Sequence, residues 1–144
     1  MSRSEIEHLY CAVMPAVRHA LEYHDGFRAF GAALGEDGKV VRIEPKPDLH
    51  DGGPSGHVLA VHAAVQSVVA AQRIKAACVC TEITLEADDV GDEPDGVRVH
   101  LEDAENEVID VLVPYRRNES GEVEYGEVVG QEAERKLMPR RPAD

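Results

Sequence analysis

Four short segments with a period of two follow one another between Ala77 and Val129, parted by turn-forming residues. In Ala77 to Leu85, Val79, Thr81, Ile83 and Leu85 alternate with Cys78, Cys80, Glu82 and Thr84. In Gly96 to Glu102, Val97, Val99 and Leu101 alternate with Arg98, His100 and Glu102. In Val108 to Tyr115, Ile109, Val111, Val113 and Tyr115 alternate with Asp110 and Leu112, and Glu122 to Val129 completes the set. Successive strand side chains point to opposite faces, so each segment predicts a strand with one buried and one wetter face. The connections at Gly91 to Gly96, Asp103 to Asn106 and Ser120-Gly121 are short. Short sequential connections predict an antiparallel meander.

The first half adds two helices and a hairpin. Ile6, Leu9, Tyr10, Val13, Val17, Ala20 and Leu21 share one stripe, predicting a helix from about Glu5 to Tyr23. Ser4 and Glu7 form a capping box at its start, and Asp25-Gly26 stops it. Pro15 lies inside and is expected to kink or split it. Phe27 to Leu34 and Lys39 to Glu44 read as strands about Asp37-Gly38, a turn that needs positive φ. Pro45 to Gly56 reads as a loop, with three Pro and three Gly in twelve residues. His57 to Arg73 follows as an Ala- and Val-rich helix, without charge from His57 to Gln72 and expected to be central and buried.

The expected fold class is therefore α+β: two helices packed on one face of an antiparallel sheet, in the order α-β-β-α-β-β-β-β. Its 144 residues suit a single domain over 1–130, with a basic, frayed tail over 131–144. Cys11, Cys78 and Cys80 fit no disulfide scaffold and read as reduced, half-buried thiols, which suggests the cytoplasm. The N-terminus carries no apolar signal segment, and no stretch approaches the eighteen apolar residues of a membrane span.

Charge narrows the partners. From Glu82 to Glu134 there are eighteen Asp and Glu against Arg98, Arg116 and Arg117, and the whole chain carries a net charge of -13. Such a surface repels nucleic acid and anionic membrane and favours a basic protein partner. Glu82, Glu86, Asp88, Asp89, Asp92, Glu102 and Asp103 are the candidate docking residues. A second candidate is a small-ligand or catalytic site on the open sheet face, where Glu82, His100 and Asp110 could converge from neighbouring strands.

Other chemistry finds less support in the residues. Phe30 to Val41 resembles the first hairpin of the zinc deaminase superfamily, and His62 falls where those enzymes carry His-x-Glu. Ala64 replaces the proton-shuttling Glu, and the Pro-Cys-x-x-Cys pair of ligands is missing. His50, Asp51, His57 and His62 make a loose metal set, but His57 and His62 are five apart and share no helix face. Gly52 to Gly56 precedes a helix without the Lys-Ser/Thr of a phosphate loop. No metal or cofactor is expected.

The hairpin at Gly31 to Val41 and the Ala-rich helix at Val58 to Ala71, followed by strands, resemble the roadblock and profilin-like architecture. That resemblance implies a small, non-enzymatic, often dimeric module that binds proteins. The Phe-Gly-Ala-x-Leu hairpin and Val111 to Arg117 also resemble small uncharacterised bacterial proteins, which implies no activity. Together these readings favour a non-enzymatic, protein-binding module of immunity, chaperone or adaptor type. An exposed first or last strand would also allow a homodimer.

Overall fold

A computed structural model describes residues 5–24, 27–44, 53–84, 95–104 and 107–138. The elements in chain order are α1 (Glu5–Tyr23), β1 (Phe30–Gly35), β2 (Val40–Ile43), α2 (Gly53–Ala71), β3 (Ile74–Thr84), β4 (Asp95–Asp103), β5 (Val108–Arg117), β6 (Val123–Tyr125) and β7 (Val129–Glu132). The fold is α+β. Ser4, Asp25-Gly26 and most of the Pro/Gly segment (45–52) lie outside the described residues. So do Glu86, Asp88, Asp89 and Asp92.

The strands form one antiparallel sheet in the order β2-β1-β3-β4-β5-β6, with β7 also paired to β5. The β1–β2 hairpin turns at Gly38, whose φ is 84°. The Asp37 carboxylate there accepts the Lys39 N–H at 3.0 Å. From β3 to β6 each strand pairs with the next in the chain.

The two helices lie on opposite faces of the sheet, not on one face. Leu9, Val13, Val17 and Leu21 of α1 pack with Phe30, Ala32 and Leu34, with Ala76, Cys78 and Cys80, and with Val97, Val99 and Leu101. Val61 and Val65 of α2 pack with the alternate set, Ala29, Ala33, Ala77 and Val79. Odd and even residues of β1 and β3 thus serve two separate cores. These central strands are apolar on both alternating sets, which is what burial on both faces demands. Cys78 and Cys80 are fully buried in the α1 core, and Cys11 is exposed.

Helix α1 runs unbroken through Pro15. The carbonyl left without a donor belongs to Cys11, and Cys11 and Pro15 both lie on the exposed side, where water can serve it. Helix α2 begins four residues before the predicted start, so Gly53 to Gly56 form its first turn rather than a loop. Pro is tolerated in a first turn because no intrahelical donor is needed there. The helix is not central: Val61 and Val65 are its buried stripe, and Leu59 is 71% exposed.

One predicted strand, Glu122 to Val129, is two. Tyr115 pairs with Tyr125, but Leu112 pairs with Val129, a register shift of one residue. The cause is Pro114 on the facing strand. Its carbonyl accepts the Gly126 N–H at 2.8 Å, but it has no N–H to return to the outer strand. A Cβ on Gly126 would sit 3.2 Å from the Pro114 Cβ, so glycine permits the close approach.

The chain beyond residue 130 is not a free tail over its described length. Residues 131 and 132 belong to β7, and Leu137 and Met138 are buried in the α2 core. Gln66 of α2 donates to the Lys136 carbonyl at 2.6 Å.

Candidate functional site

Strand β1 stops short of its neighbour. Phe30 pairs with Cys80, and residues 81–84 of β3 continue past it with no β1 partner. Residues 27–29, which lead into β1, lie beside that stretch, where the Phe27 N–H bonds Glu82. A cleft of about 440 Å³ here is lined by Phe27, Arg28, Ala29, His57, Val58, Thr81 and Glu82. It straddles the end of the sheet, so Thr81 and Glu82 both reach it although they point to opposite faces.

The wall formed by Arg28 and His57 is fixed by two hydrogen bonds. Arg28 donates from Nη2 to His57 Nδ1 at 3.1 Å. A guanidinium can only donate, so Nδ1 is the acceptor and the proton sits on Nε2. That Nε2–H donates to the Ala29 carbonyl at 2.8 Å. The ring is therefore neutral, and it ties the first turns of α2 to the segment leading into β1.

Glu82 also lines the cleft. Its carboxylate accepts the Tyr115 hydroxyl at 3.3 Å and the backbone N–H of Phe27. Loss of solvent raises its pKa, while those two hydrogen bonds oppose the rise. Tyr115 is pushed up to about 12, first by burial and then by the charges of Glu82 and Asp95. It remains a phenol donor at neutral pH. The cleft lining thus includes one cationic group, Arg28, and one carboxylate, Glu82, together with the apolar side chains of Phe27, Ala29 and Val58.

The expected trio of Glu82, His100 and Asp110 does not form. His100 and Asp110 are register partners on β4 and β5, and their side chains meet. Glu82 pairs with Val97, whose side chain faces α1, and the pleat sends His100 to the other side. Instead, His100 Nδ1 lies 2.6 Å from Asp110 Oδ1, and its Nε2 lies 2.6 Å from Glu102 Oε2. Both ring nitrogens face carboxylates, so both donate and the ring is an imidazolium. Burial alone would lower its pKa, but the hydrogen bonds and charges of Glu102 and Asp110 raise it instead. With neither nitrogen free, His100 cannot act as a general base.

Glu102 is the centre of this network. It is fully buried, and its carboxylate accepts the backbone N–H groups of Lys136, Leu137 and Met138 at 2.5, 2.8 and 2.9 Å. Arg135 lies 3.7 Å away and donates to the Asp103 carbonyl at 2.8 Å. Burial pushes the Glu102 pKa up, but His100 and the three amides outweigh it and hold the carboxyl below its ordinary value. Glu102 is therefore an anchor for residues 135–138 and not a docking residue. Asp103 is buried too, with Oδ1 accepting the Glu107 N–H at 2.9 Å. Both leave the expected acidic surface.

Among the described residues, exposed acidic side chains cluster further along the chain. Glu119, Glu122, Glu124, Glu127, Glu132 and Glu134 are all exposed on and around β6 and β7, and no Lys or Arg occurs between them. Arg116 neutralises one of them, bonding Glu124 at 3.0 Å.

Of the histidines weighed for metal, His62 turns Nδ1 to the Val58 carbonyl of its own helix at 2.9 Å, and His57 is committed as described. His50 and Asp51 lie outside the described residues. Among the described residues, no three His, Cys, Asp or Glu side chains converge on one point. No helix there is long and apolar enough to cross a membrane.

The sequence pointed to Glu82 as a ligand residue and to His57 only as part of a loose metal set, and it gave no signal for Arg28. No family model, curated protein or solved structure matches the chain.

Proposed function

We propose that this protein is a small-ligand-binding domain and that the cleft at the end of β1 is its site. The observation that carries this reading is that one cleft is lined both by the hydrogen-bonded Arg28–His57 pair and by the Glu82 carboxylate. Ligand pockets are concave, largely apolar and set with a few convergent polar groups, and this cleft has that make-up. Binding rather than turnover suits the arrangement, since His57 already uses both ring nitrogens.

The test is thermal stabilisation across a metabolite panel. A ligand that binds only the folded state at a hundred times its Kd adds about 2.7 kcal/mol. In a domain of this size that raises Tm by roughly 5 to 10 °C. Glu82→Gln and Arg28→Gln should each reduce the shift, and His100→Asn should leave it intact apart from a lower starting Tm. Shifts that survive both cleft substitutions would remove the cleft from consideration.

A second reading keeps the acidic surface as a docking site for a basic protein. The exposed glutamates between Glu119 and Glu134, on an outermost strand, favour it. Glu86, Asp88, Asp89 and Asp92 belong to the same proposal. Reversing Glu122, Glu127 and Glu132 to Lys should weaken capture of a purified basic probe such as protamine and flatten its salt dependence. Unchanged capture would discard that surface.

A further inference from the structure

Resting on the cleft as the ligand site, we infer that its ligand is a small zwitterion with an apolar body, of the amino-acid or dipeptide class. Its ammonium sits on Glu82, its carboxylate on Arg28, and its apolar body against Phe27 and Val58.

Hydrogen-bond capacity points this way. Arg28 has five N–H donors in a planar fork and spends one on His57, so the fork can still take a carboxylate. The bond to His57 also holds the guanidinium over the cleft, which reduces the side-chain ordering a ligand would otherwise have to impose. Glu82 has about four acceptor sites and spends two, on Tyr115 and Phe27. The remaining sites can take an ammonium. The neutral tautomer of His57 adds no charge to the cleft.

Long-range charge selects in the same direction. The chain carries -13, so a simple anion approaches against a repulsive field. A simple cation is drawn in but leaves Arg28 facing like charge. A zwitterion has no net charge to repel and satisfies both groups at once. Phe27 stacks edge-on to Phe30 with ring centroids 5.7 Å apart, so the apolar wall is fixed to the α1 core. It gives the ligand's body a surface to bury.

Calorimetric titration decides the point, using leucine and leucyl-leucine, each also with its amine acetylated and, separately, with its carboxylate amidated. One of the two zwitterions should bind, and which one binds reads out the charge separation the cleft accepts. Blocking either end should weaken binding at least tenfold. Arg28→Gln should erase the preference for free carboxylate over amide, and Glu82→Gln the preference for free amine over acetamide. Both substitutions leave the buried cores untouched, and an unliganded Tm within a few degrees of the parent verifies folding. If the blocked forms bind as tightly as the zwitterions, or none of the six binds at millimolar concentration, the zwitterion assignment is wrong. The cleft itself is still the site if another metabolite gives a shift that Glu82→Gln and Arg28→Gln abolish, and it falls only if none does.

Discussion

Glu102 ties residues 136–138 to the sheet. Its carboxylate satisfies three backbone donors and one imidazolium in a place water does not reach. Removing one partner of a buried ion pair costs about 3–5 kcal/mol, because the remaining charge is left unpaired. Glu102→Ala should therefore lower stability by at least that range, measured by urea unfolding, and Glu102→Gln by less. The pH dependence follows from the two shifts. The folded pKa of His100 is raised above 6.5, so its contribution is complete below 6.5 and is lost as pH rises through the folded value. The folded pKa of Glu102 is depressed below 4.5, so its contribution is complete above 4.5 and is lost as pH falls through the folded value. The network thus stabilises most between about pH 4.5 and 6.5. His100→Asn should flatten the decline in Tm that the parent protein shows above that window, and an unaltered decline would place its cause elsewhere.

Gly31 is the second residue whose identity is dictated by its surroundings. A Cβ there would overlap the Val65 Cγ2 methyl and lie 3.1 Å from the Cys78 carbonyl. Helix α2 rests directly on β1 at this point. Gly31→Ala should cost roughly 1–3 kcal/mol, the usual range for overpacking a filled core. A neutral substitution would mean that α2 can move away without loss.

At the scale of elements, sequence patterns give existence and type well and give faces less well. Helix α1 has the predicted ends because its stripe is amphipathic and its neighbours are turn formers. Strands β4 and β5 fall close to their alternating patterns. The assignment of both helices to one face fails at β3, where Cys78 and Cys80 are as buried as Val79. Two small thiols read as indifferent fillers, whereas they belong to a second core. The outer strand breaks opposite Pro114, a residue that looks harmless in its own strand and acts on the neighbouring one. Four basic residues at the chain's end suggest a tail at 135–138, but Leu137-Met138 is the apolar pair that docks it. Deleting residues 135–144 should expose the α2 core and strip Glu102 of its amides. A loss of several kcal/mol, read from the urea midpoint, is expected, and an unchanged midpoint would show that the segment adds nothing.

For the whole molecule, charge was legible from composition and its location was not. Glu82, Glu102 and Asp103 stand in one acidic run of the sequence but in different environments of the fold. One lines a cleft and two are buried. Conversely, Arg28 and His57 are 29 residues apart and meet only because α2 crosses behind β1. The acidic edge at β6 and β7 and the cleft at the start of β1 are separate surfaces, on opposite sides of the sheet's strand order. A partner of either kind should leave its mark on one and not the other.

Amide chemical-shift mapping of the labelled protein with its bound ligand therefore tests the account most directly. The account predicts perturbations concentrated at residues 27–29, 57–58 and 81–82, with Glu119 to Glu134 silent. Perturbations confined to the glutamate-rich edge, with the cleft amides unmoved, would contradict it.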